Sequence, residues 1–176
     1  MKSSSLFQGF DHLEFFVGNA KQATFFYTQA LGFRQTAYRG PETGDQKVVS
    51  YLLEQGQIRL VLSSALNADH AIARDVALHG DTLAVLAFEV IDVEDVYRQI
   101  QHKLDLNELR PELVAMLQLQ PPTVQIDASG EIKTTELRVF GNVSLKFIER
   151  STYDGCFAPY FVASSAAQNA AYNVAT

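Results

Sequence analysis

The sequence predicts an α+β fold in which two paired βαβββ units form a curved mixed sheet. The chain has 176 residues, which suits one domain of ordinary size. Hydrophobic residues make up 47% and charged residues 19%, so there is enough apolar material for a buried core. A strand–helix–strands pattern begins at Phe10 and begins again at Leu83, which indicates an internal repeat.

The first unit opens with the strand-like segment 10–17, which is rich in Phe and Val. Asn19 stands where a helix N-cap is expected, and Gly32 stands where the helix should end. Between them, apolar residues recur every three or four positions and predict one buried helix face, made of Ala20, Ala23, Phe26, Tyr27, Ala30 and Leu31. Strand-like runs follow at 33–38, 47–53 and 57–63, with turns over GPETGD and EQGQ.

The second unit repeats this pattern. Residues 83–90 read as a strand, and Asp92 stands at the N-cap position of a second helix. The apolar face of that helix consists of Val93, Val96 and Ile100. Strand-like segments at 136–140 and 143–148 follow, joined by a Gly-Asn turn.

Aligning His12 with Val85 places Asn19 opposite Asp92, so both helices begin at the same point of the repeat. The predicted organisation is an N-terminal arm (1–9), a first unit (10–64), a linker with a short helix around Ala71–Leu78 (65–81), a second unit (82–150), and a C-terminal linker and tail (151–176). Residues 104–130 fit a helix followed by a strand. The tail ASSAAQNAAYNVAT has no convincing periodicity and is expected to be disordered or loosely attached.

Charge and cysteine content exclude several classes of protein. The net charge is −6, with 14 Lys and Arg against 20 Asp and Glu, and no basic cluster, so nucleic acid is not an expected partner. No apolar run approaches the roughly 20 residues of a membrane helix, and the start of the chain lacks a signal peptide, so no membrane contact is expected. The single cysteine, Cys156, is typical of a reducing compartment, and we expect a cytoplasmic protein.

Several motifs carry a resemblance to a known family. In order and spacing, FDHLEFFVGNAKQA, AYRGPETG, VLSSALN, HGD followed by AFEV, and YDGCF resemble the amino-terminal half of the 4-hydroxyphenylpyruvate dioxygenase family. That family lies within the vicinal oxygen chelate, or glyoxalase–bleomycin resistance, superfamily. The resemblance covers roughly residues 10–160 and implies the paired βαβββ fold of that superfamily.

The resemblance also implies an iron(II) enzyme of tyrosine breakdown, which converts 4-hydroxyphenylpyruvate and dioxygen to homogentisate and carbon dioxide. In that family the iron is held by two histidines and a glutamate in the carboxy-terminal domain, an open facial triad. This chain corresponds to the other domain. We therefore expect no cofactor in this chain, and Fe(II) is implied by the family only.

The superfamily draws metal ligands from the first and last strands of each unit. In this sequence the first-strand positions are His12 and Val85, and the last-strand positions fall near Val61 and Lys146. Valine has no donor atom, and a protonated lysine repels a cation. His12 is therefore a weak metal candidate without a complete ligand set, and no metal site or catalytic residue is predicted. The alternative is a hydrogen-bonded strand histidine in a domain that has lost its metal.

Neighbouring residues do not complete the ligand set. Glu14 shares a face with His12, whereas Glu89 lies about 13 Å along the strand from its ligand position. Glu149 is an odd step from Lys146 and should point to the opposite face. The remaining histidines have no partner at ligand spacing and are expected in surface or capping roles: His70, His79 and His102.

Other candidate motifs are weaker still. The serines Ser50, Ser63 and Ser64 have no readable histidine–acid partners, so a nucleophile is not predicted. Cys156 lacks a neighbouring base, and the glycines of RGPETGDQ do not match a phosphate loop. The aromatic residues Phe15, Phe16, Phe25, Phe26 and Tyr27 are expected mostly in the core, with a few lining the concave face of the sheet.

Two kinds of function fit these observations. The first is a structural and assembly domain of a dioxygenase, inactive by itself. The second is a standalone, metal-independent protein that binds an aromatic small molecule in an apolar cleft, which a tightly filled sheet face would contradict. A lyase or isomerase of the glyoxalase type is disfavoured by the valines in the ligand positions. In each case we expect association with a partner domain or as a homo-oligomer, which would cover exposed apolar surface.

Overall fold

The computed structural model describes residues 6–106 and 110–164. Strands are β1 (Phe7–Phe16), β2 (Arg34–Arg39), β3 (Val48–Gln55), β4 (Ile58–Ala65), β5 (Thr82–Val90), β6 (Gln118–Asp127), β7 (Gly130–Phe140), β8 (Val143–Glu149) and β9 (Val162–Ala163). Helices are α1 (Ala20–Leu31), α2 (Ala71–His79), α3 (Val93–Asp105) and α4 (Pro111–Val114). Within the described ranges, none of these helices is long and apolar enough to cross a membrane.

The order of these elements confirms the predicted α+β class and the repeat. The sequence β1-α1-β2-β3-β4 is followed, after α2, by β5-α3-β6-β7-β8, with the short α4 ahead of β6. The linker helix is confirmed as α2, and α4 followed by β6 agrees with the helix-then-strand prediction for 104–130, of which residues 107–109 lie outside the described residues. The tail predicted to be disordered or loosely attached begins at Ala163, and for its first two residues this prediction is wrong, because Ala163 pairs with Ala37 and Ser164 N donates to Thr36 O at 2.8 Å. Residues 165–176 lie outside the described residues. The proposed domain boundaries stay a prediction.

Local signals place the helix ends correctly. The Asn19 side chain accepts a hydrogen bond from Gln22 N at 3.0 Å, and the Asp92 side chain accepts one from Asp95 N at 2.8 Å. Gly32 ends α1 with a φ of 74°, in the left-handed region that glycine adopts without a steric penalty. Each cap satisfies backbone groups that the first or last helical turn leaves without an intrahelical partner.

Contacts within the chain divide it into two compact lobes. The first lobe comprises residues 15–82 and the described residues that follow 155; the second comprises the described residues up to 14 and residues 83–155. The sheet of the first lobe has the order β4-β3-β2-β9, and all its pairs are antiparallel. The two-residue strand β9 has no signal in the sequence, because its extended conformation depends on pairing with β2.

The sheet of the second lobe has the order β6-β7-β8-β5-β1. The β5–β8 pair is parallel and the pairs β6–β7 and β7–β8 are antiparallel, so the predicted mixed sheet is confirmed. Helix α3 packs on one face of this sheet through a buried apolar cluster that includes Val90, Val93, Val96, Leu137 and Phe147.

The predicted apolar face of α1 is partly wrong. The buried residues of this helix are Ala20 and Thr24, whereas Phe25 and Phe26 are 57% and 58% exposed. Small side chains let a helix approach a sheet closely, and position 26 lies about 200° around the helix from position 24. The expectation that Phe25 and Phe26 belong to the core is corrected accordingly.

Candidate functional site

The candidate site of the first lobe is a row of polar side chains across three strands. The register places Arg39 of β2 opposite Ser50 of β3, and Ser50 opposite Ser63 of β4. The Ser50 and Ser63 Oγ atoms lie 2.8 Å apart, and Arg39 Nη2 donates to Ser50 Oγ at 3.0 Å. Both serines are 0% exposed. Buried hydroxyls thus have partners, as buried polar groups need.

The guanidinium of Arg39 is held on two further sides. Arg39 Nε lies 3.5 Å from Asp45 Oδ2, and the guanidinium carbon lies 5.2 Å from the centre of the Phe161 ring. Arginine stays protonated in proteins, so it cannot accept a proton from either serine. The row is therefore a hydrogen-bonded structure in which the Arg39 guanidinium cannot serve as the base that a serine nucleophile requires.

The rest of this sheet face is filled by the C-terminal segment of the lobe. Ala37, Leu52 and Val61 form the neighbouring row on the same face, since each lies two residues from a member of the polar row. Phe157 and Phe161 pack against them in one buried cluster, with their rings edge to face at 5.0 Å. Val61, a predicted ligand position, is therefore part of an aromatic core.

This covering segment, residues 156–164, is anchored at the edge of the sheet. Strand β9 pairs with β2, and beyond it Ser164 N donates to Thr36 O at 2.8 Å. Gln35 Nε2 donates to Ser164 Oγ at 2.9 Å, and Cys156 Sγ donates to Phe161 O at 3.3 Å. The closed face counts against the apolar cleft that a standalone binding protein would need in this lobe.

In the second lobe, His12 belongs to a buried charged cluster. His12 Nδ1 lies 2.6 Å from Asp11 Oδ1, and Arg150 Nη2 donates to the same oxygen at 2.8 Å. Asp11 is 3% exposed and His12 is 7% exposed. One of the two imidazole nitrogens that could bind a metal is thus taken by a carboxylate, which is itself paired with a guanidinium.

Glu149 lies on the helix-facing side of its strand. Its Oε2 accepts a hydrogen bond from Val93 N at 3.0 Å, at the start of α3, and its Oε1 accepts one from Lys133 Nζ at 3.2 Å. The hydrogen bond and the charge of Glu149 raise the pKa of Lys133. Glu149 therefore stabilises the N-terminus of a helix, where a negative charge is favourable.

The residues at the predicted ligand positions do not fit an iron site. Val85 is 6% exposed and apolar, and Lys146 pairs in register with Ala87 and Glu136. Within the described ranges, no three His, Cys, Asp or Glu side chains form a group that could hold a metal ion. A single histidine tied to a carboxylate does not make the two-histidine, one-carboxylate set of non-haem iron enzymes.

The other histidines lie at helix ends. His70 caps α2, its Nδ1 accepting from Ile72 N at 3.2 Å. His79 Nε2 lies 3.9 Å from Asp75 Oδ1, one turn earlier in the same helix, and His102 belongs to the last turn of α3. Each position is one where a histidine side chain can stabilise a helix terminus.

The segment RGPETGDQ forms a turn closed by side chains. Pro41–Thr43 make one 3-10 turn, and the Tyr38 hydroxyl donates to Glu42 Oε2 at 2.6 Å. Burial, together with this hydrogen bond, raises the pKa of Tyr38 well above its ordinary value. The same hydrogen bond lowers the pKa of Glu42.

Sequence reasoning named Ser50 and Ser63 but did not bring them together. A signal was available, because the tight turn at Gly56 and Gln57 pairs Gln55 with Ile58. Residues equally far from such a turn lie opposite each other, which places Ser50 against Ser63. The contribution of Arg39 could not be found in this way, because it depends on the irregular register of the neighbouring strand pair.

The comparisons agree with this geometry. The family model of the Glyoxalase/Bleomycin resistance protein/Dioxygenase superfamily matches residues 9–105. The 4-hydroxyphenylpyruvate dioxygenase of Yarrowia lipolytica is 34% identical over 164 residues, which is 91% of this chain and 39% of that protein. That of Danio rerio is 34% identical over 155 residues, 87% of this chain and 36% of that protein. The chain thus spans about two fifths of these relatives, within their N-terminal half.

Solved structures show the same architecture. A variant of 4-hydroxymandelate synthase from Streptomyces coelicolor superposes with a TM-score of 0.73 at 25% identity, over 93% of this chain and 43% of that one. Methylmalonyl-CoA epimerase from Mycobacterium tuberculosis superposes with a TM-score of 0.60 at 19% identity, over 85% of this chain and 92% of that one. The second likeness concerns the fold alone.

Proposed function

We propose that this chain is the metal-free amino-terminal domain of a 4-hydroxyphenylpyruvate dioxygenase. The chain belongs to the Glyoxalase/Bleomycin resistance protein/Dioxygenase superfamily, and the proposal proceeds from that membership. Such an enzyme converts 4-hydroxyphenylpyruvate and dioxygen to homogentisate and carbon dioxide in tyrosine breakdown. In this proposal the chain has a structural and assembly role, and it has no dioxygenase activity by itself. Iron(II) is bound by a partner domain.

The donor chemistry of the ligand positions carries this proposal. His12 is tied to Asp11 at 2.6 Å, Val85 and Val61 offer no donor atom, and Lys146 carries a positive charge. An open iron(II) site in an oxygenase needs three protein ligands of the imidazole and carboxylate kind. These positions supply one imidazole at most, so the chemistry of such an enzyme has to be located elsewhere.

A structural role agrees with how the two lobes are built. The first lobe fills its sheet face with Phe157 and Phe161. The second lobe buries a charged cluster around Asp11, which is costly unless every charge is paired. Both features favour a single rigid arrangement over an adaptable pocket. The single cysteine supports a reducing, cytoplasmic location.

Partner contacts are part of the proposal. Phe25 and Phe26 are more than half exposed on α1, and Phe10 is 73% exposed on β1. Exposed aromatic side chains of this size are enriched at protein interfaces. We expect a partner domain or a second copy of the chain to cover them.

The first test measures iron and activity on the purified chain. Iron(II) is titrated into the wild-type chain and into His12→Ala, and each is then supplied with 4-hydroxyphenylpyruvate and dioxygen. We expect no stoichiometric iron, no homogentisate and no difference between the two proteins. The full-length Yarrowia lipolytica enzyme in the same assay is the positive control. One tightly bound iron per chain, lost in His12→Ala, would overturn the proposal.

A second test addresses the structural role directly. The matched N-terminal part of the Yarrowia lipolytica enzyme is replaced by this chain, and the chimera is assayed for bound iron and homogentisate. A folded chimera that binds iron and retains activity is expected, and the same chimera with Phe161→Ala should lose both at a temperature about 6–12 °C lower, as its N-terminal domain melts earlier. A wild-type chimera that fails to fold would contradict the structural assignment.

A further inference from the structure

Among the residues that the structure describes, strand β6 presents a free edge. It is the last strand in the order β6-β7-β8-β5-β1, and within the described ranges it pairs only with β7. Over residues 123–127 both faces of the strand are exposed, and Val124 and Ile126 are 51% and 72% exposed. Such an edge offers a row of backbone donors and acceptors to another strand.

The hairpin that joins β6 to β7 decides which backbone groups face this edge. Asp127 pairs with Gly130 across a two-residue turn, and in such hairpins the flanking pair exchanges two hydrogen bonds. Bonded pairs alternate with non-bonded pairs along an antiparallel ladder, so Gln125 also bonds towards β7. The N–H and C=O groups of Val124 and Ile126 therefore point away from β7, towards the free edge.

We propose that this edge pairs with the same edge of a second copy of the chain, antiparallel and centred on Gln125. Val124 then faces Ile126 of the second copy, and Ile126 faces Val124, with their outward N–H and C=O groups bonded across the interface. On the other side of the paired strands, Gln125 lies opposite Gln125 of the second copy, and Thr123 lies opposite Asp127 of the second copy. No like charges oppose each other, so the segment is complementary to itself, as a two-fold interface requires.

The sequence around the edge sets the extent of the pairing. Natural edge strands are usually protected by lysine, inward charges or proline, and residues 123–126 (TVQI) contain none of these. Pro121 and Pro122 lack N–H groups, and the register is irregular between Gln120 and Thr123, so the pairing ends there. Five paired residues bury less than the roughly 1,200 Å² of stable complexes, so the dimer is weak and depends on concentration. This pairing is independent of the proposed dioxygenase role.

The test combines sedimentation with amide hydrogen exchange on the purified full chain. Sedimentation velocity from about 10 µM to about 1 mM should show a monomer passing to a dimer. Over the same range the amides of Val124 and Ile126 should gain protection, whereas the amide of Gln125, already bonded to β7, should not change. A chain that stays monomeric throughout, or a dimer that leaves the Val124 and Ile126 amides unprotected, overturns the proposal.

Two variants distinguish edge pairing from nonspecific hydrophobic association. Ile126→Lys places a charge at each apolar pair, and Ile126→Pro removes one outward N–H without removing a hydrogen bond to β7. Each should weaken dimerisation at least tenfold while the far-ultraviolet spectrum and the melting temperature stay close to wild type. Leu78→Lys is the matched control. Leu78 is 79% exposed on α2, and its substitution introduces the same charge at a site away from the edge. Equal effects of Leu78→Lys and Ile126→Lys would refute the edge as the interface.

Discussion

Replacing Phe161 with alanine tests whether the first lobe closes its own sheet face. The Phe161 ring is 9% exposed, lies edge to face with Phe157 at 5.0 Å, and has the Arg39 guanidinium 5.2 Å from its centre. The side chain also belongs to the cluster over Leu52 and Val61. Phe161→Ala therefore removes a buried ring together with its aromatic and cation contacts.

The expected loss in the free energy of unfolding follows from these contacts. Phe→Ala substitutions in cores cost about 3–5 kcal/mol, because the transfer free energy of the buried ring is lost and the cavity left behind adds a further cost. Because the segment 156–164 is anchored by a two-residue strand and can relax, we place the loss near the lower end, at about 3 kcal/mol. For a chain of this size, that lowers the melting temperature by about 6–12 °C. Urea unfolding followed by circular dichroism, with thermal melts alongside, measures it.

Phe25→Ala is the matched control, because it removes the same ring from a position that is 57% exposed on α1. Its cost should be about 0.5 kcal/mol or less, as for surface substitutions. If Phe161→Ala cost no more than Phe25→Ala, the segment would not be packed on the sheet. The face would then be open, and the alternative function of binding an aromatic small molecule would regain its basis.

Three further predictions concern the polar contacts. Asp11→Ala should lower the free energy of unfolding by about 3 kcal/mol in urea, because it removes the buried carboxylate that the partly buried Arg150 guanidinium contacts at 2.8 Å. Glu149→Ala should cost about 1 kcal/mol in the same assay, because a cap of α3 is lost. Tyr38→Phe should raise the pKa of Glu42 towards its ordinary value in an NMR titration. In the wild-type chain the lowered pKa of Glu42 stabilises the fold at neutral pH, and this stabilisation is lost as the pH falls through the pKa of Glu42 in the folded state.

Each of these predictions has a control that could contradict it. Adding Arg150→Met to Asp11→Ala should cost less than the sum of the two single substitutions, since the pair contact at 2.8 Å can be lost only once. Strictly additive costs would refute the coupling. Glu149→Gln keeps an acceptor for the helix and should cost less than Glu149→Ala. A Glu42 pKa that does not change in Tyr38→Phe would show that the hydroxyl hydrogen bond does not set it.

Short-range features of the sequence predict the elements of the fold. Asn19, Gly32 and Asp92 mark helix ends because caps and left-handed glycines act within one turn of the chain. The βαβββ repeat follows from periodicities of two and about 3.6 residues, which hold wherever a face is buried. The missing donors at Val61 and Val85 are also a property of residue type alone.

Packing decided which side of α1 is buried. The predicted face of α1 correctly included Ala20, but it also contained Phe26 and Leu31, which are exposed, and it missed Thr24, which is buried. The hydrophobic pattern is compatible with several rotations of α1 about its own axis. Close packing favours the rotation that lets the helix backbone approach the sheet most closely. The sequence could not rank these rotations.

The sequence by itself determined the order of the two βαβββ units, both ends of α1, the start of α3 and the chemistry that the ligand positions lack. Only the tertiary structure decided what surrounds those positions. Alternation along a strand places neighbours such as Asp11 and His12 on opposite faces, yet their side chains meet at 2.6 Å beside Arg150, 139 residues away from Asp11. Phe157 and Phe161 likewise cover a sheet face whose residues, such as Leu52 and Val61, lie more than 90 positions earlier in the chain. Such contacts depend on long-range chain closure and the competition for buried volume, which local propensity does not encode.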